Sequence, residues 1–283
     1  MSDAVNPALE GTTGNPITMR RIVVGVLLAA FGLSTIVWPW AFYLLLLVIG
    51  LFCIFELNAL CTIKGQPLEY PIAVTGVAAY IVLAALGMLH KWEGVLLAAI
   101  VIATFWIGMY GEQKGYFART AYTLLGVLYI GKSLTYFVFI REVPQTGYWL
   151  ATMAIVLIAL TDVLGMVVGT LVGRTRLTRI SPKKTVEGSV GSLLLVSGLG
   201  ALAAMRPELG LQIWQGALVG LMTSVAAQAG DLVESALKRD AGVKDTGTVI
   251  QGHGGVLDRF DSYLFGGMAF FGALHLVGAL AVQ

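Results

Sequence analysis

The sequence predicts an all-α, polytopic transmembrane helical protein, and three observations carry that prediction. Of 283 residues, 57% are hydrophobic and only 12% charged, and the mean hydropathy is positive, a balance found in integral membrane proteins rather than soluble domains. Apolar runs near the ~20 residues that cross a hydrocarbon core recur with short polar breaks between them. Lysines and arginines gather in alternate breaks. A net charge of +2, with basic residues spread through loops, gives no argument for nucleic acid.

Nine runs qualify as spans when taken in order: 22–37, 41–60, 70–89, 94–110, 121–140, 148–172, 189–205, 211–237 and 262–282. A polar tail, 1–19, and the pair Arg20-Arg21 precede the first run. No small-residue cleavage site follows it, so it reads as a membrane helix and not a secretory leader. Trp38-Pro39-Trp40 then serves as an interfacial turn, since proline breaks a helix and tryptophan favours the headgroup level. The second run brings Glu56 and Cys53, with Cys61 just after it. Two cysteines at that spacing offer neither a disulfide framework nor a metal site and read as buried free thiols. The fifth run holds Lys132, which, like Glu56, must snorkel or find a partner. The sixth holds Asp162 and a stripe of Gly165, Gly169 and Gly173 at four-residue spacing, which reads as helix packing. The eighth, at about 27 residues and ~1.5 Å each, exceeds the hydrocarbon thickness, so its charged end reaches the headgroup layer. His275 in the last run reads as a packing residue.

Sidedness follows from charge. With the N-terminus inside, fourteen of the 18 basic residues fall on inner segments, Lys91, Arg141 and Arg206 fall outside, and Lys132 lies within a span. This arrangement expects a cytoplasmic N-terminus and opens both long polar loops, 173–188 and 238–261, to the cytoplasm. The chain thus reads as one integral-membrane domain, 1–283, with N-terminal helices over 22–140 and the chemistry in 148–283.

That chemistry concentrates between Asp231 and Asp261, a 31-residue stretch with six of the 16 acids: Asp231, Glu234, Asp240, Asp245, Asp258 and Asp261. Lys238, Arg239, Lys244 and Arg259 are interleaved with them. Carboxylates suited to Mg²⁺ beside cations suited to phosphates point to phosphoryl or nucleotidyl transfer. Asp231 and Glu234, three apart on a helix, share a face that Ser235 and Lys238 continue and can converge on one cation; an interfacial helix end whose acids pair with Lys238 and Arg239 is the bland alternative. Asp258 and Asp261 repeat the spacing, so four carboxylates from two helix ends flank one glycine-rich loop, a plausible site for one or two cations. The loop is not a Walker A motif, and by itself a glycine-rich loop is a weak signal. His253, set in Gly252-His-Gly254-Gly255, can donate to a phosphate or move a proton; a turn histidine bonded to backbone is the bland alternative. Asp162, an acid inside a span, must face protein or water. Ser181-Pro-Lys183-Lys184-Thr185 offers hydroxyls and two ammonium groups in a rigid turn, suited to a triphosphate, although a polybasic loop on anionic headgroups is the simpler reading.

These residues resemble the integral-membrane phosphatidate cytidylyltransferases, also called CDP-diacylglycerol synthases. The family's C-terminal signature is matched by Ser235, Leu237, Lys238, Arg239, Lys244, Asp245, Gly247, Ile250, His253, Gly254, Gly255, Val256, Asp258, Arg259 and Asp261. Gln251 stands where proline or a small residue is usual, and Phe260 fills an aliphatic slot. Upstream, Asp162, Gly173 and the turn from Ile180 to Gly188 match a second stretch, so the likeness spans essentially the whole chain. The resemblance implies an enzyme of the bacterial inner membrane, its active site facing the cytoplasm. It would join CTP to phosphatidic acid with Mg²⁺, and with room for a second cation, giving CDP-diacylglycerol and pyrophosphate, and would act as a homodimer. On it, Asp231, Asp258 and Asp261 hold the metal with Glu234 as a further ligand, while Lys183, Lys184, Lys238, Arg239, Lys244 and His253 contact phosphates. Ser181, Thr185, Ser235, Gly254, Gly255 and Arg259 complete the substrate contacts, with Asp162 and Asp245 as accessory acids. Two rivals stand beside this reading: a CTP-dependent kinase or cytidylyltransferase for another lipid, and a cation-coupled transporter or lipid-binding scaffold. The transporter predicts paired inverted repeats, and the sequence offers none.

Overall fold

The computed structural model describes residues 32–111, 113–247 and 254–280, and every regular element among them is helical. Besides a helical turn at 32–35 and a 3₁₀ turn at Pro207–Leu209, eight longer helices follow in order: α1 Pro39–Ile63, α2 Tyr70–Ala85, α3 Leu89–Gly108, α4 Tyr116–Arg141, α5 Gly147–Val172, α6 Val186–Ala203, α7 Ile213–Asp240 and α8 Leu257–Leu276. One π-helical turn, Val127–Lys132, interrupts α4. A turn at residues 36–38 leads into α1, where Trp38 precedes Pro39 at the first position and the flanking Trp38 and Trp40 are exposed. Pro39 fits there because a first-turn N–H has no helical partner to lose.

Among the described residues, six helices are long and apolar enough to cross a membrane: α1, α3, α4, α5, α6 and α7. This is fewer than the nine runs of the sequence, for separate reasons. The run 22–37 lies mostly outside the described residues. At 16 residues α2 is apolar but short, and the acids and arginine in the first turns of α8 dilute its hydropathy.

The helices associate in chain order, α1 with α2, α2 with α3 and α4, and α5, α6 and α7 side by side, while α8 packs along α7 and reaches α4. The glycine stripe behaves as packing. A side chain at Gly188 of α6 would sit 2.6 Å from the Gly165 carbonyl oxygen and 2.9 Å from the Gly169 Cα, so α5 and α6 meet backbone to backbone. Lys132 finds a partner in Glu93, and Cys53 and Cys61 are buried free thiols. The contact that matters most for chemistry is between α7 and α8. A Cβ at Gly230 would lie 2.5 Å from the Asp261 carbonyl oxygen, so only glycine lets the two acid-bearing helix ends approach this closely.

Candidate active site

Two clusters of charge sit side by side at the junction of α5, α7, α8 and the 173–185 loop. The first centres on Lys238. Its ammonium group lies 2.5 Å from Glu234 Oε2 and 2.7 Å from Asp258 Oδ1, with Glu234 fully buried. The other Asp258 oxygen accepts hydrogen bonds from the N–H groups of Gly255 (2.7 Å) and Thr246 (3.0 Å), and the Thr246 hydroxyl stands 3.0 Å from it. Asp258 stands in the polar first turn of α8, ahead of the apolar stretch that starts at Ser262. Burial pushes its carboxyl up, but its polar surroundings, Glu234 and Lys238 foremost with the N–H groups of Gly255 and Thr246, outweigh that and hold it at about 2, so it stays ionised.

The second cluster lines a cavity of 560 Å³ between α5, α6, α7 and the basic loop. Lys184 enters from the loop and pairs with Asp231 Oδ2 at 2.5 Å, while Ser235 donates to Asp231 Oδ1 at 3.3 Å. Asp162 faces the same cavity from α5, and both Asp162 and the buried Asp261 lie within electrostatic reach of Asp231. The loop is held by its own bonds. Leu177 N–H donates to Lys184 O and Val186 N–H to Thr175 O, each at 2.9 Å, and Glu187 accepts from the N–H groups of Arg174 and Thr175. The Thr185 hydroxyl accepts the Gly188 N–H at 3.1 Å, so this residue caps α6 while lining the cavity.

The four carboxylates expected around one ion are therefore divided. Glu234 and Asp258 are engaged by Lys238 and Asp231 by Lys184, while Asp261 and Asp162 lie within electrostatic reach of Asp231. Among the described residues no group of three or more such side chains is close enough to hold a metal ion as it stands. The donor chemistry nevertheless fits a hard divalent cation: Asp162 of α5 and Asp231 of α7 line one cavity with the Lys184 ammonium group, and Asp261 lies within electrostatic reach of both acids. Lys183, Arg239, Lys244, Asp245 and Arg259 are exposed at the same end of the bundle, and Ser181 is half-buried in the loop. His253 lies outside the described residues. Gly254 adopts the left-handed conformation, φ +80°, and a side chain there would meet Asp258 Oδ2 at 2.8 Å.

Two residues outside the expected set belong to the site. Gln228 lines the cavity and donates to Ser192 Oγ at 3.0 Å; it lies three residues before Asp231, and that spacing on one helix face was its only sequence signal. Glu56 of α1 reaches the start of α8, where the N–H groups of Val256 and Leu257 donate to its carboxylate. On the other side of α7 a second, apolar cavity of 630 Å³ is lined by Leu57, Leu60, Leu125, Val233, Leu237 and Phe265, among others.

Comparison with known proteins settles the ancestry of this arrangement. A model described as "Cytidylyltransferase family" matches residues 18–277, which takes in every helix and both clusters. The chain belongs to the cytidylyltransferase family. Family members similar to it include the phosphatidate cytidylyltransferase of Bacillus subtilis (strain 168), 34% identical over 253 residues that cover 87% of this chain and 93% of the relative. The phosphatidate cytidylyltransferase of a Synechocystis strain is 41% identical over 174 residues, 50% of this chain and 58% of the relative. That of Staphylococcus epidermidis is 33% identical over 192 residues, 68% and 69% of the two chains.

Proposed function

We propose that this chain transfers the cytidylyl group of CTP to phosphatidic acid at the cytoplasmic face of a bacterial inner membrane, as the names of its relatives suggest. The observation that carries the reading is the pairing, at one end of the bundle, of an acid- and lysine-lined cavity with an apolar one across α7. A triphosphate and a diacyl lipid phosphate need those two environments. In the reaction, a phosphate oxygen of phosphatidic acid forms a bond to the α-phosphorus of CTP. The bond from that phosphorus to the α–β bridging oxygen breaks, and its electron pair leaves with pyrophosphate.

Lys184 and Lys183 face the cavity and offset triphosphate charge, while Lys244, Arg239 and Arg259 draw both anionic reactants to the mouth. Lys238, clamped between Glu234 and Asp258, fixes how α7 meets α8 and so where Asp231 and Asp261 stand. Asp231, Asp261 and Asp162 would hold Mg²⁺, whose charge supplies neutralisation of the phosphates when it is bound. A phosphate monoester is already a nucleophile near neutral pH, so no general base is required. Acyl chains would occupy the apolar cavity.

The same reading takes nine spans with the N-terminus inside. It is supported by which ends meet: Lys64 after α1 pairs with Asp240 at the end of α7, and Lys184 reaches Asp231, so segments assigned inside lie together. At the other end Arg141 donates to the Ile36 carbonyl at 2.9 Å, joining segments assigned outside. By the resemblance the active form would be a homodimer.

The test is product analysis with purified protein, Mg²⁺, CTP labelled on cytosine, and phosphatidic acid. Label in the lipid phase with stoichiometric pyrophosphate is expected. CDP as the product would replace transfer with a kinase reaction, and label confined to water with folded protein would remove phosphatidic acid as acceptor.

A further inference from the structure

We infer that Glu56 is a positioning residue for the reaction site, acting from α1, about 180 residues before the signature begins. Its side chain is 1% exposed, yet among the described residues its carboxylate's hydrogen-bond partners are two amides and a hydroxyl, none of them a cation. Oε1 accepts the Val256 N–H at 2.8 Å; Oε2 accepts the Leu257 N–H at 2.7 Å and lies 3.1 Å from the Thr246 hydroxyl. Val256 and Leu257 open α8, where backbone N–H groups have no helical acceptor and the helix dipole favours a negative charge. Thr246 lies on the opposite flank of the signature loop. One carboxylate therefore ties both ends of that loop to a helix that contributes nothing else to the signature.

The loop is built to admit it. A Cβ at Gly255 would fall 2.1 Å from Thr246 Oγ1 and 2.5 Å from Glu56 Oε2, and one at Gly247 would fall 2.9 Å from Oε1. Two small-residue positions of the signature are thus accounted for by the approach of Glu56 together with the Thr246 hydroxyl beside it. The tie continues to Asp258, because the Thr246 N–H donates to Asp258 Oδ2 at 3.0 Å while the hydroxyl, with a single proton to give, is free to serve Glu56. Glu56, Thr246, Asp258 and Lys238 form one connected line from α1 to the α7–α8 junction. Holding α1 against α8 needs only apolar packing; orienting two amides and a hydroxyl needs a carboxylate.

This inference rests on the signature being the site of cytidylyl transfer, and the experiment separates the two. Glu56→Gln keeps size but turns an NH₂ toward a backbone N–H; Glu56→Asp keeps the charge one methylene short; Ile54→Ala opens a cavity two residues away in the same helix and serves as a packing control. Each is measured for melting temperature, for kcat and KM toward CTP, and for amide exchange over 254–258. Glu56→Gln is expected to lower kcat at least about tenfold with KM for CTP within about threefold, and to speed exchange at 254–258. Glu56→Asp should recover part of kcat, and Ile54→Ala should lose melting temperature while keeping kcat per folded molecule. Folded Glu56→Gln with wild-type kcat would overturn the inference, as would an Ile54→Ala loss of kcat matching it at equal destabilisation. If wild-type protein does not turn over, cytidylyl transfer is the claim that fails, and exchange alone decides: faster in Glu56→Gln keeps the tie, unchanged removes it.

Discussion

Lys238 shows how single residues are committed here. Its ammonium group serves two carboxylates, one of them fully buried, and a buried charge is tolerated only while its partners remain. Lys238→Met strands Glu234 and Asp258 together, and chemical denaturation should register a loss of ~3–5 kcal/mol with activity gone. A variant as stable as wild type would mean that Glu234 is paired elsewhere. Lys184 is a different case, at the rim of the cavity with its side chain 25% exposed. Its pair with Asp231 is worth little to folding, so Lys184→Ala should leave the melting temperature nearly unchanged while raising KM for CTP about tenfold or more. An unaltered KM with full activity would remove Lys184 from the triphosphate site.

Between elements, the site depends on close backbone approach and on one cap. Gly230→Ala places a methyl 2.5 Å from the Asp261 carbonyl oxygen, and since the obstacle is backbone the helices must separate, at a cost of ~1–3 kcal/mol. Because Asp231 and Asp261 flank that contact, kcat should fall by more than the loss of folded protein explains; measuring both on one sample checks it. Thr185→Ala removes the hydroxyl that caps α6, which should cost ~1 kcal/mol in a melting experiment. A larger effect on KM for CTP than on stability would identify Thr185 as a substrate contact too.

For the whole molecule, the sequence was a good guide to class and a partial one to arrangement. Apolar runs announce helices because a membrane helix satisfies its own backbone, whatever it packs against. The signature residues were legible for a related reason: Asp231, Glu234, Ser235 and Lys238 share a helix face by spacing alone. What spacing could not tell is which acid takes which cation. Lys238 meets Asp258 twenty residues on, and Glu56 meets Leu257 across 201, so those partnerships appear only when α1, α7 and α8 are packed together. Those partnerships sort the four carboxylates, Glu234 and Asp258 to Lys238 and Asp231 to Lys184. Sidedness is open to direct test on the intact chain, because its native thiols at Cys53 and Cys61 are buried. Arg179→Cys should react with an impermeant maleimide only from the cytoplasmic side and Arg206→Cys only from the opposite side. The reverse pattern would invert the topology.

The most direct test of the account is kcat for cytidylyl transfer to phosphatidic acid by Asp258→Asn, Asp231→Asn and the double variant, each shown to be folded. If the two clusters form one site, each single variant should lose at least about 100-fold, and the double should be little worse than the poorer single. Near-wild-type turnover by folded Asp258→Asn would contradict the account, because the junction that Lys238 and Asp258 lock would then have no part in the chemistry.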